Sequence, residues 1–296
     1  MRKRNILTSP RVTELKRKKR KVLIRNAVIF SVGFLAIVAL LAYLSSFRAL
    51  NFSKLEVSGN RIIDTEAVEK EVQNVTGSKY LWLFPKTNVF LYPKSTIQKD
   101  LADKFKRLQN ITLEIKKGNT LEISVTERVP QYTWCGDLPT GNDIETCYFL
   151  DNSGYIFDEA PYFSGEVYFK FYGALPQKSG GPPGNYFYKE YFEKLIAFKE
   201  ALEALHLKPA VLYMEDGEDG TIFLSRTKRS LAPPEIRFRK AADLSKVADD
   251  FGAALATEPL KTKFEKEYSS LQYFDLRFDN KVYYKFAGQR APALGS

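Results

Sequence analysis

The chain has 296 residues, 44% of them apolar and 27% charged, which is enough to bury the cores of two ordinary domains. With one histidine and two cysteines, it offers no set of metal ligands and no complete Ser-His-Asp or Cys-His arrangement. Its net charge of +10 is of the size seen in nucleic-acid-binding proteins, but the position of that charge argues against this function.

The excess positive charge lies entirely at the amino terminus. Residues 1–25 hold eleven Lys and Arg and one acid, whereas the rest of the chain has 34 basic and 34 acidic residues. Residues 27–47 carry no charge, and a helix of that length spans about 30 Å, the thickness of the hydrocarbon core of a bilayer. A cleaved signal peptide has an apolar region of only about 7–15 residues, so we interpret residues 26–48 as an uncleaved transmembrane helix.

The same charge asymmetry predicts the orientation. The positive-inside rule places the basic tail, residues 1–25, in the cytoplasm and everything after the helix outside the membrane. A polybasic segment beside a bilayer gains about 1 kcal/mol per charge from anionic lipid, so we expect the membrane, and no nucleic acid, as its partner. The composition of residues 1–21 predicts a disordered or transiently helical arm.

Residues 49–128 follow the order strand, helix, helix, strand, strand. The first strand is predicted over residues 52–57, and the first helix is predicted from a cap at Asp64 to about residue 73. The second helix is predicted to start at Ser95, with Gln98 completing a capping box. Its apolar stripe comprises Ile97, Leu101, Phe105 and Leu108.

Two alternating strands close this region. Residues 111–115 and 121–125 each place their apolar side chains on one face if residues 117–119 form a three-residue turn. That turn sets residue 113 opposite residue 123.

This βααββ order after one membrane helix resembles a POTRA domain of the kind found in the cell-division proteins FtsQ and DivIB. Two motifs carry the resemblance: LEVSGN over residues 55–60, and VTERVP over residues 125–130, which is similar to the Val-x-Glu-Arg-x-Pro sequence that ends the last POTRA strand of that family. The resemblance implies a POTRA domain over residues 49–128 and a β domain over residues 129–286. Residues 287–296 lack periodicity and are expected to be a mobile tail.

The β domain begins with strands at 131–135, 146–150 and 155–157, and its Asp-x-x-Gly turn at 151–154 resembles the corresponding turn of the family. Cys135 and Cys147 lie on neighbouring predicted strands outside the membrane. A disulfide between them would contribute about 3 kcal/mol in the chain-entropy model. Two buried free thiols are the alternative.

A helix over residues 189–206, with the lone His206 facing solvent at its end, is followed by strands at 210–214 and 221–224. The acidic run 215–220 between these strands invites a calcium interpretation, but it is too short for an EF-hand loop, so we favour an exposed hairpin tip. A strand at 235–239 and a helix capped by Asp243 come next. The predicted fold class is therefore α+β: one transmembrane helix, a βααββ POTRA domain, and a mixed, mainly antiparallel β domain with packed helices.

Residues 271–286 are predicted to form the last hairpin, and its hydrophobic-Asp-Leu-Arg-aromatic run is the strongest resemblance to FtsQ and DivIB. A three-residue turn at 279–281 keeps the apolar side chains on one face. It pairs Phe278 with Val282, Leu276 with Tyr284, Phe274 with Phe286, Asp275 with Lys285 and Arg277 with Tyr283.

The last strand is a predicted sheet edge, to which a partner could add a strand. The family resemblance implies that the partner is of the FtsB/DivIC type. The predicted partner-binding residues are Arg277, Phe278, Val282, Tyr283, Tyr284 and Lys285. We expect Tyr283→Pro and Arg277→Glu to abolish recruitment without changing thermal stability by more than a few degrees.

The resemblance to FtsQ and DivIB implies a non-catalytic scaffold without cofactor or metal, resident in the inner (plasma) membrane at the division septum. Its expected partners are FtsB/DivIC-like and FtsL-like division proteins and an FtsW/FtsI-like synthase complex, whose septal peptidoglycan synthesis it would help regulate. Two alternatives are a membrane-anchored cell-wall enzyme working through paired carboxylates, and a POTRA-bearing transport or assembly factor. No acidic residue is flanked by a pattern that indicates a raised pKa, which argues against the enzyme. The sequence shows one POTRA repeat and no run of amphipathic strands sufficient for a barrel, which argues against the transport or assembly factor.

Overall fold

The computed structural model describes residues 10–116, 119–139, 145–175, 181–215, 219–226, 232–279 and 281–288, and confirms an α+β fold. The helices in these residues are α1 Pro10–Ser45, α2 Thr65–Thr76, α3 Lys94–Lys104, α4 Phe192–Ala204, α5 Leu244–Leu255 and α6 Leu260–Glu267. The strands are β1 Lys54–Ser58, β2 Lys79–Tyr80, β3 Phe84–Pro85, β4 Leu108–Lys116, β5 Thr120–Glu127, β6 Tyr132–Trp134, β7 Cys147–Leu150, β8 Ile156–Ala160, β9 Lys170–Tyr172, β10 Pro209–Met214, β11 Asp219–Leu224, β12 Glu235–Arg239, β13 Leu271–Phe278 and β14 Lys281–Phe286.

Helix α1 is long and apolar enough to cross a membrane, with a mean hydropathy of 2.6 in its most apolar part. Of the two alternatives predicted for residues 1–21, a disordered or a transiently helical arm, the structure shows a helix from Pro10 onward, which runs without a break into the apolar segment. Lys and Arg are good helix formers, and proline is favoured in the first turn, so the basic residues extend the helix. Residues 1–9 lie outside the described residues.

The chain divides into two compact units, the first comprising Met1–Ala102 and Asn110–Thr126. Its sheet has the order β1-β5-β4, with β1 parallel to β5 and Leu55 opposite Leu121. The βααββ order is observed, with the short β2–β3 hairpin between the two helices. Helices α2 and α3 bury their apolar stripes with the sheet residues, and the fully buried side chains include Val68, Val72, Ile97, Leu101, Leu121 and Ile123.

A close contact explains the glycine of the first motif. Gly59 has a φ of +88°, and a Cβ on it would lie 2.0 Å from the carbonyl oxygen of Val125. Glycine is therefore required for β1 to end beside β5. The contact joins the motif at residues 55–60 to the start of the motif at residues 125–130.

Helix α3 differs from its prediction. It starts at Lys94, so Ser95 is inside the helix, and the Gln98 side chain donates to the carbonyl oxygen of Ile111 at 2.7 Å. The helix ends at Lys104, and Leu108 begins β4. The turn residues 117–118 lie outside the described residues, so the predicted β4–β5 register remains a prediction.

The second unit comprises Asp103–Gln109 and Glu127–Ser296, and is built on a mixed sheet of nine strands. Its strand order is β14-β13-β12-β11-β10-β9-β6-β7-β8. The pairs β9–β10, β6–β9 and β12–β13 are parallel, and the other neighbouring pairs are antiparallel. Strand β9 and helix α6 were not predicted, since each is short and lacks a periodic apolar pattern.

Helices α4, α5 and α6 contribute to the main core of the second unit. Ring contacts join Phe198 of α4 to Phe238 of β12, and Phe251 of α5 to Phe274 of β13. Burying each such ring contributes about 1.5–3 kcal/mol. The predicted cap of α5 is confirmed, because the Asp243 carboxylate accepts from the backbone N–H of Ser245 at 3.1 Å. His206 is exposed just beyond α4, as predicted.

Arg128 of the motif at residues 125–130 contacts the Asp-x-x-Gly turn at residues 151–154. The Arg128 guanidinium donates to the Asp151 carboxylate and lies 4.0 Å from the ring centroid of Tyr155. Asp151 also accepts from the backbone N–H groups of Ser153 and Tyr155, at 2.8 and 3.1 Å. The arginine of one motif therefore holds the Asp-x-x-Gly turn of the other.

Candidate functional site

The candidate site is the hairpin of β13 and β14. Strand β14 lies at the end of the nine-stranded sheet and pairs on one side with β13. A strand in this position presents backbone N–H and C=O groups on its other side. The position places five of the six predicted site residues, Phe278, Val282, Tyr283, Tyr284 and Lys285, at or next to a sheet edge.

The predicted register of this hairpin is wrong. Phe278 pairs with Lys281, which leaves two residues in the turn, and Asp275 pairs with Tyr283. A bulge between Asp275 and Phe278 takes up the extra residue, so Phe274 lies opposite Tyr284 despite the tight turn. Alternation of apolar residues specifies a regular ladder and gives no signal for a bulge. Asn280, which it placed in the turn, lies outside the described residues.

A hydrogen bond just after the end of β14 shows which way the backbone groups of this strand point. The N–H of Ala287 donates to the carbonyl oxygen of Ser270 at 2.7 Å, so it points toward β13. Backbone groups alternate along a strand, and the bulges lie in β13. The N–H groups of Tyr283 and Lys285 therefore point toward β13, and those of Val282, Tyr284 and Phe286 point away from the sheet.

Two aromatic side chains are exposed at the turn end of the hairpin. Phe278 is 45% exposed and Tyr283 is 48% exposed, and their rings meet edge to face at 5.1 Å. Phe278 therefore lies at the surface, although the predicted register placed it on one apolar face with Leu276 and Phe274. Val282, Tyr284 and Lys285 are half-buried. An exposed aromatic pair beside an open edge is the composition expected at the centre of a protein interface.

Arg277 has a different environment from its neighbours. Its guanidinium donates to both carboxylate oxygens of Asp275, at 2.9 and 2.7 Å, and to Asp219 of β11 at 2.7 Å. Burial alone would raise the pKa of Asp275, but these hydrogen bonds outweigh burial and hold that pKa below its usual range. The same bonds raise the pKa of Arg277. Arg277 thus fastens β13 to β11, and we now expect Arg277→Glu to destabilise the fold.

This contact also bears on the acidic run 215–220. Residues 216–218 lie outside the described residues, so neither the hairpin-tip nor the calcium interpretation is tested there. Asp219, at the end of that run, is an ion-pair partner of Arg277.

A cleft of about 290 Å³ lies between α5 and the hairpin. Its wall on α5 includes Lys246, Asp250 and Ala254, and its wall on the hairpin includes Leu276 and Val282. The cleft borders β14, because Lys281 and Val282 of that strand line it. The amphipathic pattern of α5 is that of an ordinary core helix, so it carries no sequence signal for a cleft here.

Cys135, directly after β6, forms a disulfide with Cys147, the first residue of β7. Among the described residues, these two sulfurs and the Glu145 carboxylate are the one group close enough together to hold a metal ion. Because both sulfurs are in the disulfide, they are not available as thiolate ligands. This cluster is therefore structural.

No protein-family model matches the chain, and no curated protein matches it significantly.

Proposed function

We propose that the chain is a non-catalytic, single-pass membrane scaffold of the bacterial division machinery that works in the manner of FtsQ and DivIB. It would recruit FtsB/DivIC-like and FtsL-like proteins to the septum and help regulate an FtsW/FtsI-like synthase complex. In this proposal the amino terminus is cytoplasmic, and the chain from residue 49 onward lies outside the plasma membrane. The observation that carries the proposal is the open β14 edge with its exposed aromatic pair.

The first unit supports the proposal through its topology. A βααββ chain order with β1 parallel to β5 is the arrangement that we expect of a POTRA domain. Strand β1 comes soon after α1, the helix of the same unit that is long and apolar enough to cross a membrane. The contact of Gly59 with Val125 gives a physical reason for the motifs on which the resemblance rests.

The second unit supports a specific mode of binding. Strand addition needs backbone groups that point away from the sheet, and on β14 these are the groups of Val282, Tyr284 and Phe286. The Phe278–Tyr283 pair and the cleft beside α5 would supply side-chain specificity. We therefore propose that an extended segment of an FtsB/DivIC-like partner adds a tenth strand to the sheet.

The test is a pair of substitutions at one position. Val282→Pro removes an outward N–H and leaves the pairing with β13, whereas Val282→Ala shortens the same side chain and keeps the N–H. We expect Val282→Pro to abolish capture of the FtsB/DivIC-like partner from membranes of the native cells, and Val282→Ala to retain it. Tyr283→Pro is a poorer probe than we first expected, because that N–H points into the sheet.

Both variants must keep a cooperative thermal transition for the comparison to count. Equal capture by folded Val282→Pro and Val282→Ala proteins would show that the partner does not use the edge of β14. Loss of capture by both would assign the effect to the side chain and reject strand addition.

A further inference from the structure

The β2–β3 hairpin of the first unit presents large apolar side chains to solvent. Leu81 is 82% exposed, Trp82 is 92% exposed, and Phe90, a few residues later, is 81% exposed. Soluble proteins rarely gather such side chains on one exposed segment without a binding role. In the sequence, this segment is marked by the uninterrupted apolar stretch YLWLF at residues 80–84.

The backbone of the hairpin would suit other residues better. Leu81 and Trp82 have φ values of +49° and +60°, a region that glycine and asparagine adopt at much lower cost than bulky residues. A hairpin that only had to turn would carry those residues here. The presence of leucine and tryptophan instead indicates that their side chains have a function at the tip.

Hydrogen bonds hold this segment at the end of α1. The Asn88 side chain donates to the carbonyl oxygen and the hydroxyl of Ser45, both at 3.1 Å, and Asn88 is itself buried. The Asn51 side chain donates to the carbonyl oxygens of Ser45 and Phe47, both at 2.8 Å. The N–H of Val89 donates to the carbonyl oxygen of Leu50 at 2.9 Å. These bonds satisfy carbonyl groups at and after the helix end and fix its position against the segment that leads to Phe90.

The end of α1 also has the composition of a membrane–water interface. Tyr43 and Phe47 are exposed there, with their rings 5.3 Å apart, and aromatic residues are enriched at that level of a bilayer. Residues 78–94 contain three lysines and no acidic residue, which suits anionic headgroups. Trp82 is six residues from Asn88, so even an extended chain would keep it within about 20 Å of the helix end.

We propose that Leu81, Trp82 and Phe90 insert into the outer headgroup region of the bilayer that α1 crosses, and that the first unit is thereby docked on lipid. The lysines beside them, Lys79 and Lys86, would meet anionic lipid headgroups. This inference rests on the membrane span of α1 and is independent of the proposed division partners.

The chain offers a direct optical test, because its only tryptophans are Trp82 and Trp134. Trp134 is buried, and its indole N–H donates to the carbonyl oxygen of Gly173 at 3.0 Å. The full chain is placed in nanodiscs of mixed zwitterionic and anionic phospholipid, with or without bromine on the acyl chains near the headgroup. Brominated lipid quenches only tryptophans that contact it.

We expect brominated lipid to quench part of the emission of the wild-type chain, and we expect this loss to disappear in Trp82→Phe. Trp134→Phe is the matched variant and should keep the quenching. Aqueous iodide should quench Trp82 little in nanodiscs. Equal quenching of wild type and Trp82→Phe by brominated lipid, together with strong quenching of Trp82 by iodide, would overturn the proposal. The same result is expected if a protein partner, and not lipid, covers the hairpin in cells.

Discussion

The two edge strands of the nine-stranded sheet, β8 and β14, differ in the hydrogen bonds made on their outer sides. At β8, the N–H of Ile156 donates to the carbonyl oxygen of Asn185 at 2.9 Å, and the N–H of Gly184 donates to the carbonyl oxygen of Ile156 at 2.8 Å. Arg107 adds two hydrogen bonds to Asp158, at 3.0 and 2.8 Å. At β14, no described residue forms a hydrogen bond with the outward backbone groups of residues 282–286.

Open edges expose a protein to unwanted pairing, and natural sheets usually cover or charge them. This chain pairs Ile156, the first residue of β8, with its own loop at residues 184–185 and adds an ion pair at Asp158, so part of this edge is closed within the same unit. An open β14 edge with Phe278 and Tyr283 beside it is then best explained if this edge binds a partner, as we propose. The contrast between the two edges separates residues that stabilise the fold from residues that we expect to bind a partner. Substitutions in each group test this separation.

The largest effect on stability is expected at Arg277. Arg277→Gln leaves the buried carboxylate of Asp275 without its ion-pair partner, which costs about 3 kcal/mol in the free energy of unfolding. Arg237→Gln is the matched control, since Arg237 pairs with the half-exposed Glu235, and it should cost less than about 1 kcal/mol. Urea denaturation at neutral pH measures both values. Equal losses would show that the Arg277 contacts have no special role in fastening the hairpin.

The pH dependence of this loss has a definite sign. In the wild type, the lowered pKa of Asp275 contributes stability above the unfolded pKa of about 3.9, and this contribution is lost as pH falls through the lower folded pKa. Without Arg277, burial favours the neutral form of Asp275 and is opposed by the charge of Arg237, the smallest of the influences that lower this pKa. We therefore expect the stability difference between wild type and Arg277→Gln to shrink as the pH is lowered toward and below about 4. A constant difference would contradict this explanation.

A smaller loss is expected at the covered edge. The Arg107 side chain is buried, and its guanidinium lies 5.0 Å from the ring centroid of Phe157. Arg107→Ala should cost about 2 kcal/mol through lost hydrogen bonds and packing, because the Asp158 that remains is partly solvated. Lys106→Ala, in an exposed pair with Asp103, should cost no more than about 0.5 kcal/mol. Partner capture should be unchanged in both variants, and its loss in Arg107→Ala would undermine the contrast between the edges.

The smallest effect on stability is expected at the aromatic pair. Phe278→Ala and Tyr283→Ala remove half-exposed rings, so each should cost less than about 1 kcal/mol of folding free energy. Each should weaken partner binding by about tenfold or more, as expected for aromatic residues at the centre of an interface. Tyr162→Ala, at an exposed tyrosine elsewhere in the second unit, should do neither. Titration of the partner by isothermal calorimetry, with thermal scans of each variant, separates the two effects.

Much of this arrangement was predictable from local sequence patterns. The strand at residues 235–239, the Asp243 cap and the final hairpin follow from alternation and capping chemistry, which act over a few residues. The apolar helix and the exposed position of His206 are local features of the same kind.

The remaining features depend on contacts that periodicity does not encode. The bulge at residues 275–278 reconciles a tight turn with an apolar face, and the partner of Arg277 on β11 lies 58 residues away in the sequence. The loop that covers β8 reaches it through two backbone bonds, whose positions no side-chain pattern reveals. Errors at the candidate site therefore came from register and long-range pairing, while the element types were assigned correctly.

Residue-resolved amide hydrogen exchange is the most direct test of the open edge. In the free protein we expect fast exchange at the amides of Val282, Tyr284 and Phe286 and slow exchange at the amide of Ile156. Addition of the extracytoplasmic segment of an FtsB/DivIC-like partner should slow the three β14 amides and leave β8 unchanged. Protection of these β14 amides in the free protein, or protection on binding that appears elsewhere and leaves β14 unaffected, would contradict the claim that β14 is the docking strand.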